Sequence, residues 1–80
     1  TGLQNLGPEP FSDEFSLSYL VGQLQHRRRP IKNALLDQAI VAGVGNIYAD
    51  EALFLSHIHP QTLCTDLSRS KIETLRTNVI

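Results

Sequence analysis

Two glycines one residue apart, followed at once by an asparagine, lie at the centre of Val41-Ala42-Gly43-Val44-Gly45-Asn46-Ile47-Tyr48-Ala49-Asp50-Glu51-Ala52. Glycines at this spacing let a backbone turn sharply through positive φ and leave its N–H groups uncovered by side chains. Asn46 falls where a helix N-cap belongs, and Ile47, Ala49, Ala52 and Leu53 suit the interior of the helix that would follow. A glycine turn opening directly into a helix gathers free N–H groups and the positive end of the helix dipole at one point. The guest such a point suits is an anion, a phosphate above all.

Cations accompany the turn. Arg27, Arg28, Arg29 and Lys32 place four of the seven basic residues within six positions, and no Asp or Glu occurs between Phe15 and Leu36. Arginines here suit a helix C-terminus and need do no more than that, but each is also able to neutralise a phosphate. Lys32 is the more pointed case. It follows Ile31 and precedes Leu35 and Leu36, so it borders an apolar face and either snorkels or aims at something.

Other guests for the turn fit less well. Gly43-x-Gly45-x-x-Ala49 matches a dinucleotide fingerprint, with Ile40-Val41 as the strand before it and Asp66 as the ribose acid. That chemistry needs a parallel sheet, and the chain offers no second strand to build one. A helix–hairpin–helix clamp, a longer connection between helices, and a plain tight turn capped by Asn46 all stay open on local pattern alone. His57, His59 and Cys64 are three potential metal ligands at irregular spacing with no C-x-x-C pair, and no metal site is expected from them. Tyr48 and Phe54 are expected to pack in the core, with Tyr48 also able to reach a phosphate. Asp50 and Glu51 suit the helix dipole, and nothing in the pattern supplies Glu51 with an acid–base partner.

The elements that must hold these residues read as helical. Residues 1–11 are broken by Gly7, Pro8 and Pro10 and read as linker or turn. One helix start falls at Ser12 and another at Ser16, the latter leading into the stripe Leu17, Leu20, Val21 and Leu24 and running to about Arg27 or Arg28. Pro30 opens a helix over Ile31 to about Asp37. Residues 38–42 read as a short strand or buried turn, and the Asn46 helix extends to about Ser56. An irregular stretch from His57 to Asp66 follows, and Ser68 caps a last helix with Ile72, Leu75 and Val79 on one side. The expected class is all-α, with roughly four to five short helices.

Composition narrows the setting. Eight acidic residues balance seven basic ones, so the chain is no general polycation, and its cations act locally. No run of about 18 apolar residues is present to form a membrane helix. A single cysteine makes no internal disulfide, which favours a reducing compartment. The opening Thr1-Gly2-Leu3, without a methionine, reads as part of a longer protein.

In series, L-G-P-E-P-F at 6–11, R-P-I-K-N-A-L-L-D-Q at 29–38, V-A-G-V-G-N-I-Y-A-D-E-A-L-F at 41–54 and I-H-P at 58–60 resemble the central domain of the bacterial formamidopyrimidine-DNA glycosylases. The resemblance covers the chain from about Leu6 onward and implies a helix–two-turn–helix domain over 12–80, with 1–11 joining it to a catalytic domain. It implies that Lys32 and the Gly45-Asn46 turn hold phosphates of the damaged strand, with Arg27, Arg28 and Tyr48 as further DNA contacts and Glu51 in a supporting role.

The intact enzyme would remove 8-oxoguanine and formamidopyrimidines from double-stranded DNA. It would then nick the abasic strand by β/δ-elimination, as a bacterial, cytoplasmic, nucleoid-associated monomer. The family's nucleophilic N-terminal proline and its glutamate are not in this chain. Nor is the four-cysteine finger that holds one zinc, so these 80 residues alone are expected to be inactive and metal-free. His57 replaces a small residue of the family pattern, with little effect expected. The alternative is a stand-alone helix–hairpin–helix-like DNA-binding module without glycosylase activity.

Overall fold

Ser16 is the start signal that the chain uses. In the computed structural model, which describes residues 6–80, its hydroxyl accepts from the Tyr19 N–H at 3.1 Å and helix α1 runs Leu17–Leu24. No helix begins at Ser12. Its hydroxyl instead accepts from the Glu14 N–H, two residues on, at 3.0 Å, a local bond that offers the backbone an alternative to helix. The helix also stops short of Arg27. The Gln23 carbonyl, which a continuing helix would offer to the Arg27 N–H, accepts at 2.6 Å from Nε of the Arg27 guanidinium instead.

Helix α2, Ile31–Leu35, is shorter than expected and is opened by Pro30. A distant loop, and no capping side chain, satisfies its start. The Ile31 N–H donates to the Thr62 carbonyl at 2.7 Å and the Lys32 N–H to Pro60 at 3.2 Å, beside an isolated Pro30–Leu63 bridge. The end is local: the Asp37 carboxylate accepts from the Ala39 N–H at 2.9 Å, an Asx turn that diverts the chain. Residues 38–45 are turn, and no strand forms there.

Helix α3, Asn46–Leu55, buries the face made by Ala49, Ala52 and Leu53. Ile47 and Phe54 lie seven residues apart on another face and are 83% and 78% exposed, contrary to the interior positions expected of them. The helix closes with paired reverse bonds, Ile58 N–H to the Leu53 carbonyl at 3.0 Å and His57 N–H to Phe54 at 3.1 Å. This arrangement requires a left-handed residue between them. His57 is that residue, at φ 57°.

A 3₁₀ turn over Cys64–Asp66 leads to helix α4, Arg69–Val79, capped by the Ser68 hydroxyl as expected. Helices α1 and α3 both pack on α4, and α2 packs on α3. Phe15, Leu20, Leu24, Ile31, Leu35, Leu53, Ile72 and Leu75 fill the common core. The described residues are therefore all-α.

The small residue of the family pattern that His57 replaces has a physical reason. A side chain in the left-handed region is strained, and glycine relieves the strain. His57→Gly is expected to raise stability by about 0.5–1 kcal/mol, an increase of several degrees in a domain of this size. A thermal melt checks it; a lower melting temperature would count against the strain.

Candidate nucleic-acid interface

The turn between α2 and α3 is tied by hydrogen bonds to several other parts of the chain. Gly7 donates its N–H to the Gln38 carbonyl at 2.7 Å, and Ala42 donates to Pro8 at 3.0 Å. A Cβ on Gly7 would sit 2.5 Å from the Ile40 carbonyl oxygen, so the close approach requires glycine. Gly7 and Pro8 of the expected linker are thus packed on the turn, while residues 1–5 lie outside the described part. The Tyr19 hydroxyl donates to the Ile40 carbonyl at 2.6 Å, and the Gln38 side-chain oxygen accepts from the Gly43 N–H at 2.9 Å.

Only one of the paired glycines takes the left-handed conformation. Gly43 has φ +84°, whereas Gly45 is extended at φ −95° and is itself the N-cap of α3. Asn46 is consequently the first residue of the helix and not its cap. No side chain caps this end, and the first bond within the helix runs from the Ala49 N–H to the Gly45 carbonyl. The N–H groups of Asn46, Ile47 and Tyr48 precede that bond and have no partner inside the helix. Gly45, Asn46, Ile47 and Tyr48 are all exposed. This is an open helix N-terminus at the surface.

Two ties to α4 hold α3 in place. The Tyr48 hydroxyl donates to the Val79 carbonyl at 2.9 Å, and buried Ser56 accepts from Asn78 Nδ2 at 2.9 Å. Tyr48 is therefore half-exposed with its phenolic proton directed at α4, neither in the core nor pointed at the open end.

The cations divide into distinct states. Lys32 Nζ lies 2.9 Å from Asp50 Oδ1. Asp50 stands four residues beyond Asn46, on the same face of α3, so the pair brings the ammonium alongside the helix start. Arg29 pairs with Asp37 at 3.0 Å. Arg27 is folded onto Gln23, with Nη2 to Oε1 at 2.9 Å. Arg28 is exposed and has no ion pair with a described residue, and Glu51 is likewise exposed. Sequence spacing gives no sign of the Lys32–Asp50 pair, because it joins two helices, although the four-residue step from Asn46 to Asp50 marks a shared face.

Three groups of this part of the fold are shifted, and burial raises the Tyr19 hydroxyl that is tied to the turn at Ile40. The Ala39 N–H, and then the Arg29 guanidinium, hold the Asp37 carboxyl below its ordinary value. Burial pushes the Cys64 thiol up. Cys64 is fully buried while His57 and His59 are exposed, and among the described residues no three potential metal ligands come together.

The fold is that of a helix–two-turn–helix domain. A family model described as the formamidopyrimidine-DNA glycosylase H2TH domain matches residues 6–80. Over 80 residues the chain is 64% identical to the formamidopyrimidine-DNA glycosylase of Nostoc punctiforme and 62% identical to that of Acaryochloris marina. It is covered completely in both comparisons and spans 28% of each relative. Among solved structures, the Thermus thermophilus MutM (Fpg) protein superposes with a TM-score of 0.92 at 42% identity, over 96% of this chain and 29% of that one. The Lactococcus lactis glycosylase, solved non-covalently bound to DNA containing an AP site, gives 0.90 at 38%, over 96% and 30%. The chain belongs to the formamidopyrimidine-DNA glycosylase family and carries its H2TH domain.

The Asp37 arrangement has a pH signature. A depressed carboxyl contributes stability that is full above its unfolded value near pH 4 and is lost as pH falls through the lower native value. Asp37→Asn is therefore expected to be less stable than wild type at neutral pH, with the difference shrinking below about pH 4. Melts across pH 2–7 check this; a constant difference would count against it.

Proposed function

We propose that this domain grips the sugar–phosphate backbone of lesion-containing double-stranded DNA on behalf of a base-excision repair enzyme. The observation that carries the reading is the open N-terminus of α3, with Lys32 held on the same face. N–H groups without internal partners, a helix dipole and an ammonium together suit a phosphate oxygen. Such contacts position a duplex and carry no sequence information, which fits an enzyme that must search all sequences for damage.

Asn46 and Lys32 are the primary phosphate ligands in this account, with Gly45 letting the strand approach the backbone closely. Arg28, exposed at the surface, adds an electrostatic contact. Arg27 contributes through its charge from its place on Gln23, and Tyr48 acts by anchoring α3. Glu51 is exposed beside the same helix end and is free to support the site.

The whole enzyme removes oxidised purines, 8-oxoguanine and formamidopyrimidines, and then nicks the abasic strand by elimination. The relatives' names support the glycosylase part, and the L. lactis complexes with AP-site and Fapy-dG DNA support the damaged substrate. The relatives are more than three times as long as this chain, which favours a multidomain enzyme over a stand-alone binding module. The chemistry belongs to an N-terminal proline amine and a glutamate outside these 80 residues. Its target base must leave the stack to be reached. The zinc of the family's four-cysteine finger does not fit here, because a lone, buried, protonated thiol is no zinc site. The intact protein acts as a monomer in the bacterial cytoplasm, at the nucleoid.

Removal of single contacts tests the grip. Asn46→Ala in the full-length enzyme is expected to weaken lesion-DNA binding roughly tenfold, because a hydrogen bond to a charged group is lost. Its melting temperature should barely change, since Asn46 caps nothing. Lys32→Ala should weaken binding and lower the salt slope by about 0.9. Unchanged affinity in both variants would refute the reading. Incubated with an abasic duplex and borohydride, these 80 residues are expected to form no covalent adduct. An adduct would place a nucleophilic amine, Lys32 first, within this domain.

A further inference from the structure

We infer that Asp50 is an affinity-setting residue whose carboxylate holds down the grip of Lys32 on any DNA phosphate. The inference rests on the phosphate-gripping reading of Lys32 and adds to it a built-in counter-charge. Lys32 is 28% exposed and Asp50 53% exposed, with 2.9 Å between ammonium and carboxylate oxygen. At a distance the pair presents no net charge. A passing phosphate is drawn to it only weakly, although the ammonium remains within reach.

The ammonium has three donors, and a single carboxylate oxygen lies within ion-pair range. A phosphate delivered to the α3 N-terminus can therefore share Lys32 without expelling Asp50. Sharing has a consequence. An anion on a second donor of the tetrahedral ammonium lies about 4.6 Å from the carboxylate oxygen, since each charged hydrogen bond spans about 2.8 Å. Repulsion between unit charges at that separation, in partly desolvated surroundings, outweighs the small orienting benefit of an exposed ion pair. The net effect of Asp50 on phosphate binding at Lys32 is therefore adverse. That penalty falls on every phosphate that reaches Lys32, in damaged and undamaged duplex alike.

Asp50→Asn keeps the shape and one acceptor oxygen while removing the charge, so it separates charge from positioning. In the full-length enzyme, on undamaged duplex at about 0.1 M salt, the variant is expected to bind about three- to tenfold tighter, with a salt slope steeper by up to about 0.9. Binding to an abasic-site duplex should gain by a similar factor, because the same phosphate contact is relieved. Equal or weaker binding to undamaged DNA would overturn the inference. Asp50→Ser, lacking the charge as well, should show the same gain, and a gain from neither variant is decisive against it. Lys32→Ala and Lys32→Ala with Asp50→Asn complete the cycle. If Lys32→Ala weakens binding while Asp50→Asn does not strengthen it, the counter-charge alone fails. If Lys32→Ala has no effect, the phosphate reading fails with it.

Discussion

The start of α3 is left without a side-chain cap, and much of the surrounding structure keeps that exposed end in place. A frayed helix end would spread its N–H groups over many directions and lose the convergence that makes an anion site. Fraying is opposed from behind by Tyr48 on Val79 and by Ser56 with Asn78. It is opposed from in front by a turn whose backbone is tied to Gln38, Pro8 and Tyr19. The turn is braced by those bonds, whereas the first N–H groups of the helix have no partner within it, and the proposed interface lies where the braced turn meets the open helix end.

Charge at this surface is arranged for contact more than for long-range attraction. Lys32 and Arg29 each face a carboxylate, and Arg27 lies along its own helix end. With one net negative charge on the chain, the domain carries no strong positive field. In the proposed reading, grip then depends on short hydrogen bonds made when a strand is seated. An enzyme that must release undamaged DNA and move on is served by that arrangement.

Local rules made much of this legible. Ser16 and Ser68 cap helices as their types require, Pro30 opens α2, and the stripe of Ile72, Leu75 and Val79 is buried. Errors arose where local pattern met competing bonds. Ser12 has a cap's composition but turns onto Glu14, and Arg27 ends a helix by taking a carbonyl from its own backbone's ladder. The N-cap is one residue earlier than Asn46, because Gly45 already has extended φ and ψ. Ile47 and Phe54 are apolar without facing the core, since α3 has a narrow buried face of alanines and one leucine. The family motifs named the domain directly. By contrast, the Lys32–Asp50 pair, the Gly7 approach to Ile40 and the strained His57 depend on contacts or backbone angles that no spacing reveals.

The most direct test of the account is an amide and lysine-side-chain NMR titration of this domain with a duplex carrying an abasic-site analogue. The largest shifts are expected on the N–H groups of Asn46, Ile47 and Tyr48 and on the Lys32 ammonium, and they should fade as salt is raised. Shifts centred on the exposed face of Ile47 and Phe54 side chains, or on α4, with the α3 amides and Lys32 unmoved, would contradict it.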